Sequence, residues 1–118
     1  MKRDFLSFAN LSPKQIWSLL ESAVSLKEDG AGGQQTAHLQ DKVLVMVFQK
    51  SSLRTRVSFD VRMFQLGRYA VYLSPEEIKL GERESIPDAA RVLSRYGDAI
   101  MARVYAHADI VSMAQWAS

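Results

Sequence analysis

Cysteine is absent from the 118 residues, which excludes disulfides, thiolate nucleophiles and cysteine-held zinc. Histidine occurs only twice, as His38 and His107, far apart in the chain, so a zinc site is not expected, and no other feature calls for a metal or a cofactor. Charge of one sign is also scarce: fifteen Lys and Arg against thirteen Asp and Glu leave a net +2, too small an excess to point to nucleic acid or an anionic membrane. The longest strongly apolar run, Val43–Phe48, falls far short of the roughly 20 residues that cross a bilayer. The opening Met1-Lys2-Arg3-Asp4-Phe5 leads into mixed polar sequence with no apolar signal core, so a cytoplasmic location is expected. With 47% hydrophobic and 24% charged residues, the chain reads as one soluble globular domain with a single core.

Along the chain, Ser12-Pro13-Lys14-Gln15 reads as a helix start with a capping box, and Ile16, Leu19, Leu20, Ala23, Val24 and Leu26 recur at helical spacing as a stripe to be buried. That helix should stop near Gly30, and residues 30–36, with three glycines and two glutamines, read as a flexible loop. The continuous run Val43–Phe48 suggests a strand covered on both faces, as in a parallel sheet. A polar stretch follows, then Val57, Val61, Phe64 and Leu66 at helical intervals with Gly67 as a stop, then a strand at Tyr69–Leu73. Residues 74–84 carry Pro75, Gly81 and six charges and read as an exposed loop. A capped helix from Ser85 to Tyr96, a strand over 99–104 and a helix over 109–116 complete the pattern. Helices alternating with buried strands give an α/β domain, a mainly parallel sheet flanked by helices. Met46, Met63, Met101 and Met113 fall within apolar patterns and are expected in the core.

In open α/β sheets, ligands sit beyond the carboxyl ends of the strands. The segment from Lys50 to Arg56 lies there, between the first strand and its helix. A helix start offers unpaired N–H groups and the positive end of its dipole, which suit a phosphate. Ser52 and Thr55 add hydroxyl donors, and Arg54 adds a planar fork that matches phosphate or carboxylate oxygens. No Gly-x-x-x-x-Gly-Lys-Ser/Thr or Gly-x-Gly-x-x-Gly sequence is present, which disfavours a nucleotide loop and favours a small phosphorylated metabolite. A solvated basic helix face with ordinary hydroxyl caps would carry the same residues.

The wording of the segment is more specific. Phe48-Gln49-Lys50-Ser51-Ser52-Leu53-Arg54-Thr55-Arg56-Val57-Ser58-Phe59 resembles the Ser-Thr-Arg-Thr-Arg signature of the aspartate and ornithine carbamoyltransferases. Phe64-Gln65-Leu66-Gly67, Tyr72-Leu73-Ser74, the stretch from Leu80 to Ser85, that from Ala90 to Tyr96 and that from Asp98 to Arg103 also look like this family. Lys50, Val57-Ser58-Phe59 and the Gly-x-Arg-Glu-Ser loop are more similar to the ornithine enzymes.

The resemblance implies that Ser52, Leu53, Arg54 and Thr55 form a carbamoyl-phosphate loop and that Arg103 is the catalytic arginine touching the carbamoyl group, while Arg56 is a structural partner. Leu53 replaces the usual threonine but keeps its backbone amide. Lys79 stands where ornithine enzymes often carry glutamine, in a loop that in the family reaches a neighbouring subunit's site; a solvated lysine is its other reading. His107 follows the third strand and is read mainly as a polar loop residue. The family's amino-acid-binding domain, with its His-Pro-x-Gln and His-Cys-Leu-Pro motifs, has no counterpart in residues 1–118, which leaves a carbamoyl-phosphate-binding domain expected to bind but not turn over. Trp17 and Trp116 would then face the second domain. The implied function is carbamoyl transfer to ornithine by a homo-oligomer, a trimer in the family. A carbamoyltransferase acting on aspartate or an acylated ornithine, or a non-catalytic anion-binding or interaction module of the same fold, are the alternatives. The expectation on which all of this turns is that Arg54 and Arg103 converge on one anion pocket.

Overall fold

The computed structural model describes residues 3–31 and 38–118. Strand β1 is Val43–Phe48, and its last five residues are all buried. It can be covered so completely because it is the middle strand of a three-stranded parallel sheet, between β2 (Tyr69–Leu73) and β3 (Ala99–Arg103). The register pairs Val43 with Tyr69 and Val47 with Leu73 on one side, and Leu44 with Ala99 and Phe48 with Arg103 on the other. Among the described residues, five helices accompany the sheet: α1 (Pro13–Ala31), α2 (Leu53–Gln65), α3 (Pro75–Ile78), α4 (Ile86–Tyr96) and α5 (His107–Trp116), after a short 3-10 turn at Phe8–Asn10. The α/β sandwich read from the sequence is therefore the fold found.

Side-chain alternation along β1 divides the core in two. Leu44, Met46 and Phe48 face α2 and meet Met63, with Ala70, Tyr72 and Met101 packed around them. The Phe48 and Tyr72 rings meet edge to face, 5.2 Å apart. On the other face, Val45 and Val47 meet Ala89 and Ala90 of α4, Met113 of α5, and Ile78 and Leu80. Of the four methionines placed in the core by pattern, Met46, Met63 and Met113 are buried and Met101 is half-buried.

Local signals set the helix starts. Ser12 Oγ accepts from the Gln15 amide while Gln15 Oε1 accepts from the Ser12 amide, the reciprocal capping box expected. Ser85 Oγ likewise accepts from the Asp88 amide at the head of α4.

Two expectations need correction. The α1 stripe is not buried: Leu19, Leu20 and Val24 are 50–57% exposed and only Ile16 is half-buried. Among the described residues both sheet faces are covered by other helices, and α1 leaves its stripe facing solvent. The stripe that revealed α2 (Val57, Val61, Phe64) also faces solvent, and the helix buries Met63 instead. Residues 74–84 are not wholly an exposed loop, for they hold α3 and two core residues, Ile78 and Leu80. Of the loop expected over 30–36, Gly30 and Ala31 end α1 and the rest lies outside the described residues.

Gly97 closes α4, where its amide donates to the Leu93 carbonyl, and it sits so close to β1 that an added Cβ would lie 2.7 Å from Val45 Cγ2. Gly97→Ala should therefore lower unfolding free energy by about 1–3 kcal/mol through overpacking, measured by urea titration. Asp98 follows, and its carboxylate accepts from the Val43 amide at 2.8 Å, with Lys42 at 3.5 Å. The Val43 hydrogen bond, opposed by desolvation and aided by Lys42, holds the carboxyl below its ordinary 3.8. Its stabilisation is therefore fully present above that value and is lost as pH falls below it. Asp98→Asn should be less stable than the parent at pH 7, and the gap should close towards pH 3.

Candidate functional site

The site forms because three backbone segments reach the carboxyl end of the sheet together. Residues 49–52 leave β1 and turn directly into α2. The Phe48–Arg103 register brings the last residue of β3 alongside the start of that turn. Ser52 takes the extended conformation of a helix N-cap (φ −154°, ψ 106°), yet its side chain caps nothing. Its hydroxyl donates instead to Thr55 Oγ1 at 2.9 Å. Arg103 Nη1 donates to both oxygens, Ser52 Oγ and Thr55 Oγ1, at 3.2 Å each.

This arrangement changes the expected donor set. Ser52 is not a free hydroxyl donor, because its proton is directed at Thr55. Nor is it the ordinary cap of the plainer reading. The first i→i−4 bond at the helix head runs from the Arg56 amide to the Ser52 carbonyl, so the N–H groups of Leu53, Arg54 and Thr55 have no helical partner. Arg103 Nε is buried and has no hydrogen-bond partner. The Arg103 guanidinium meets only neutral oxygens, and among the described residues no carboxylate pairs with it. Amide hydrogens, the positive end of the α2 dipole and an uncompensated guanidinium donor therefore lie in one place, a combination suited to an anion and not to a cation.

Of the other candidates, Leu53 is 78% exposed and Arg54 is exposed beside it on the first turn of α2. A groove of about 810 Å³ runs along the outer edge of β3 and takes in Arg103 alone of the expected site residues. Arg56 is occupied elsewhere: its guanidinium lies 3.8 Å over the Tyr72 ring, with Asp60 Oδ2 3.7 Å from its Nε. Lys79 is exposed at the end of α3 in a left-handed conformation (φ 40°, ψ 55°) and makes no ion pair among the described residues. His107 opens α5 and is exposed. Among the described residues no group of three or more His, Cys, Asp or Glu side chains could hold a metal ion, and no helix is long and apolar enough to cross a membrane.

Comparison with known proteins bears directly on this site. Residues 3–118 match the family model of the aspartate/ornithine carbamoyltransferase carbamoyl-P binding domain. This chain belongs to that family. Among its carbamoyltransferase relatives, the ornithine carbamoyltransferase of Pyrococcus horikoshii is 49% identical over 116 residues, 98% of this chain and 37% of the relative. That of Methanosarcina acetivorans is 46% identical over the whole chain and 39% of the relative. The domain thus spans well under half the length of the curated relatives it matches. The solved ornithine carbamoyltransferase from Pyrococcus furiosus superposes with a TM-score of 0.94 at 46% identity, covering 98% of this chain and 37% of that one. The catalytic subunit of M. jannaschii aspartate transcarbamoylase superposes at 0.88 with 26% identity, covering 99% and 39%, so the fold is shared by enzymes named for two amino acids.

One residue at the site escaped the sequence reading. Gln49 bonds to Leu80 and Tyr105 across two other segments, and the only signal in the sequence is a polar residue directly after a wholly apolar strand. For the hydroxyl pair, Thr55→Val keeps the shape but removes an acceptor from Arg103. It should destabilise the domain by about 1 kcal/mol in urea titrations, and Ser52→Ala, which removes the other, by a similar amount.

Proposed function

We propose that this chain is the carbamoyl-phosphate-binding part of an ornithine carbamoyltransferase. That enzyme moves the carbamoyl group of carbamoyl phosphate to the δ-amino group of ornithine, giving citrulline and phosphate. The observation that carries the reading is the buried, unpartnered Nε of Arg103 beside the uncapped head of α2. The higher identity to proteins named ornithine carbamoyltransferase than to the aspartate enzyme supports the choice of amine.

In this reading the phosphate oxygens take the N–H groups of Leu53, Arg54 and Thr55, and the Arg54 fork closes on them from its exposed position. Leu53 contributes its amide and no hydroxyl. Arg103 donates to the carbonyl oxygen of the carbamoyl group and stabilises the negative charge that develops there as the amine attacks. The nitrogen–carbon bond forms and the carbon–oxygen bond to phosphate breaks. The phosphate departs with the electron pair, held by the helix head, and takes up the proton that the amine loses. Ser52 and Thr55 fix the guanidinium before the substrate arrives, so the catalytic gain is mostly positioning and electrostatics.

The remainder of the reading concerns the rest of the enzyme. The amino acid is held by a second domain outside these residues, and the isolated chain binds without turning over. The assembly is a cytoplasmic homotrimer in which Lys79 reaches a neighbouring subunit's site.

Calorimetric titration of the 118-residue chain with carbamoyl phosphate should give saturable binding. Arg54→Ala should weaken it about 30- to 1,000-fold, equivalent to roughly 2–4 kcal/mol for a partly desolvated charged contact. Binding indifferent to that substitution would favour a non-catalytic module. Citrulline formed from ornithine by the chain alone would refute its proposed inactivity.

A further inference from the structure

Gln49 is the first residue past β1, and it makes three hydrogen bonds to two other segments of the chain. Its backbone amide donates to the Arg103 carbonyl at 2.9 Å. Its side-chain Oε1 accepts from the Tyr105 amide at 2.9 Å, and its Nε2 donates to the Leu80 carbonyl at 3.2 Å. The partners themselves fix the orientation of the carboxamide, because a flipped amide would set donor against donor at Tyr105 and acceptor against acceptor at Leu80.

The consequence for Arg103 is direct. β3 ends at Arg103, so the ladder no longer guides the chain beyond it. The Gln49 backbone amide holds the Arg103 carbonyl, as any residue there would, while its carboxamide holds the Tyr105 amide two residues on and so braces the segment that leads out of Arg103. At its other end the same amide holds Leu80, a buried core residue between two positive-φ positions, Lys79 (φ 40°) and Gly81 (φ 85°). No other side chain of this length both accepts and donates in fixed directions: glutamate lacks the donor and methionine lacks both groups.

We infer that Gln49 is a positioning residue whose carboxamide sets the stance of Arg103 and ties the Leu80 loop to the site. The inference rests on the proposed carbamoyl-phosphate site for its functional meaning, but its structural core is measurable without ligand. The experiment compares the 118-residue chain with Gln49→Met and Gln49→Glu by nitrogen-15 NMR, with the Arg103 Nε–Hε signal assigned through its loss in Arg103→Lys. In Gln49→Met, the Arg103 signal should shift or broaden and the Tyr105 amide should exchange with solvent at least tenfold faster. Affinity for carbamoyl phosphate should fall about tenfold, the scale of one or two lost neutral hydrogen bonds. In Gln49→Glu, which keeps an acceptor, Tyr105 should stay protected while the Leu80 and Gly81 signals move. An unmoved Arg103 signal in the folded Met variant overturns the inference. So does loss of folding in both variants, since Gln49 would then be holding the domain and not the guanidinium. Failure of the parent chain to bind carbamoyl phosphate instead overturns the site reading, and the ligand-free Arg103 signal still decides the role of Gln49.

Discussion

Burial of β1 on both faces is the constraint from which the rest of the domain follows. Five consecutive side chains leave water, and two parallel neighbours take up the strand's backbone groups. A slip of one residue would reverse every side chain between the two half-cores, so the register is firmly set. Because both neighbours are parallel to β1, all three carboxyl ends open on the same side. The turn after β1, the last residue of β3 and the Leu80 loop consequently meet at one end of the sheet.

Electrostatics at that end are deliberately uncomfortable. The Arg103 guanidinium points at the positive end of α2, where three amide hydrogens also face outward. The two hydroxyls between them moderate the repulsion without cancelling it, since neutral oxygens carry no opposing charge. In the proposed site an anion relieves that tension, with the amides and Arg103 already in place and only Arg54 left to close. Preorganisation here is the geometry of two like-signed sources held together by a sheet and a helix.

Much of this was legible in the sequence, and the gaps have physical causes. The strand limits at Val43–Phe48 and Tyr69–Leu73 follow from β-branched and apolar runs, and the starts of α1 and α4 from Ser-Pro and Ser-Ile-Pro capping chemistry. Periodicity located α1 and α2 but not their buried faces, because a spacing of side chains does not say which surface is available to cover them. Ile78 and Leu80 were hidden by their charged neighbours. At the site, the motif marked Ser52, Thr55 and Arg103, and the structure brings those three together. It could not show that the Ser52 hydroxyl turns to Thr55 instead of capping, because that depends on how the Arg103 guanidinium arrives from a strand fifty residues away. Gln49 was invisible for a related reason: its partners are joined to it only by sheet topology.

The connection between β1 and α2 consists of residues 49–52 alone. Each α-helical residue advances the helix by about 100° around its axis. One inserted residue would therefore swing Thr55 away from Arg103 and scatter the three outward amides, while leaving the composition of the loop almost unchanged. The link therefore has no slack. Its length is a phasing element: four residues set the rotation at which a rigid helix is presented to a rigid sheet.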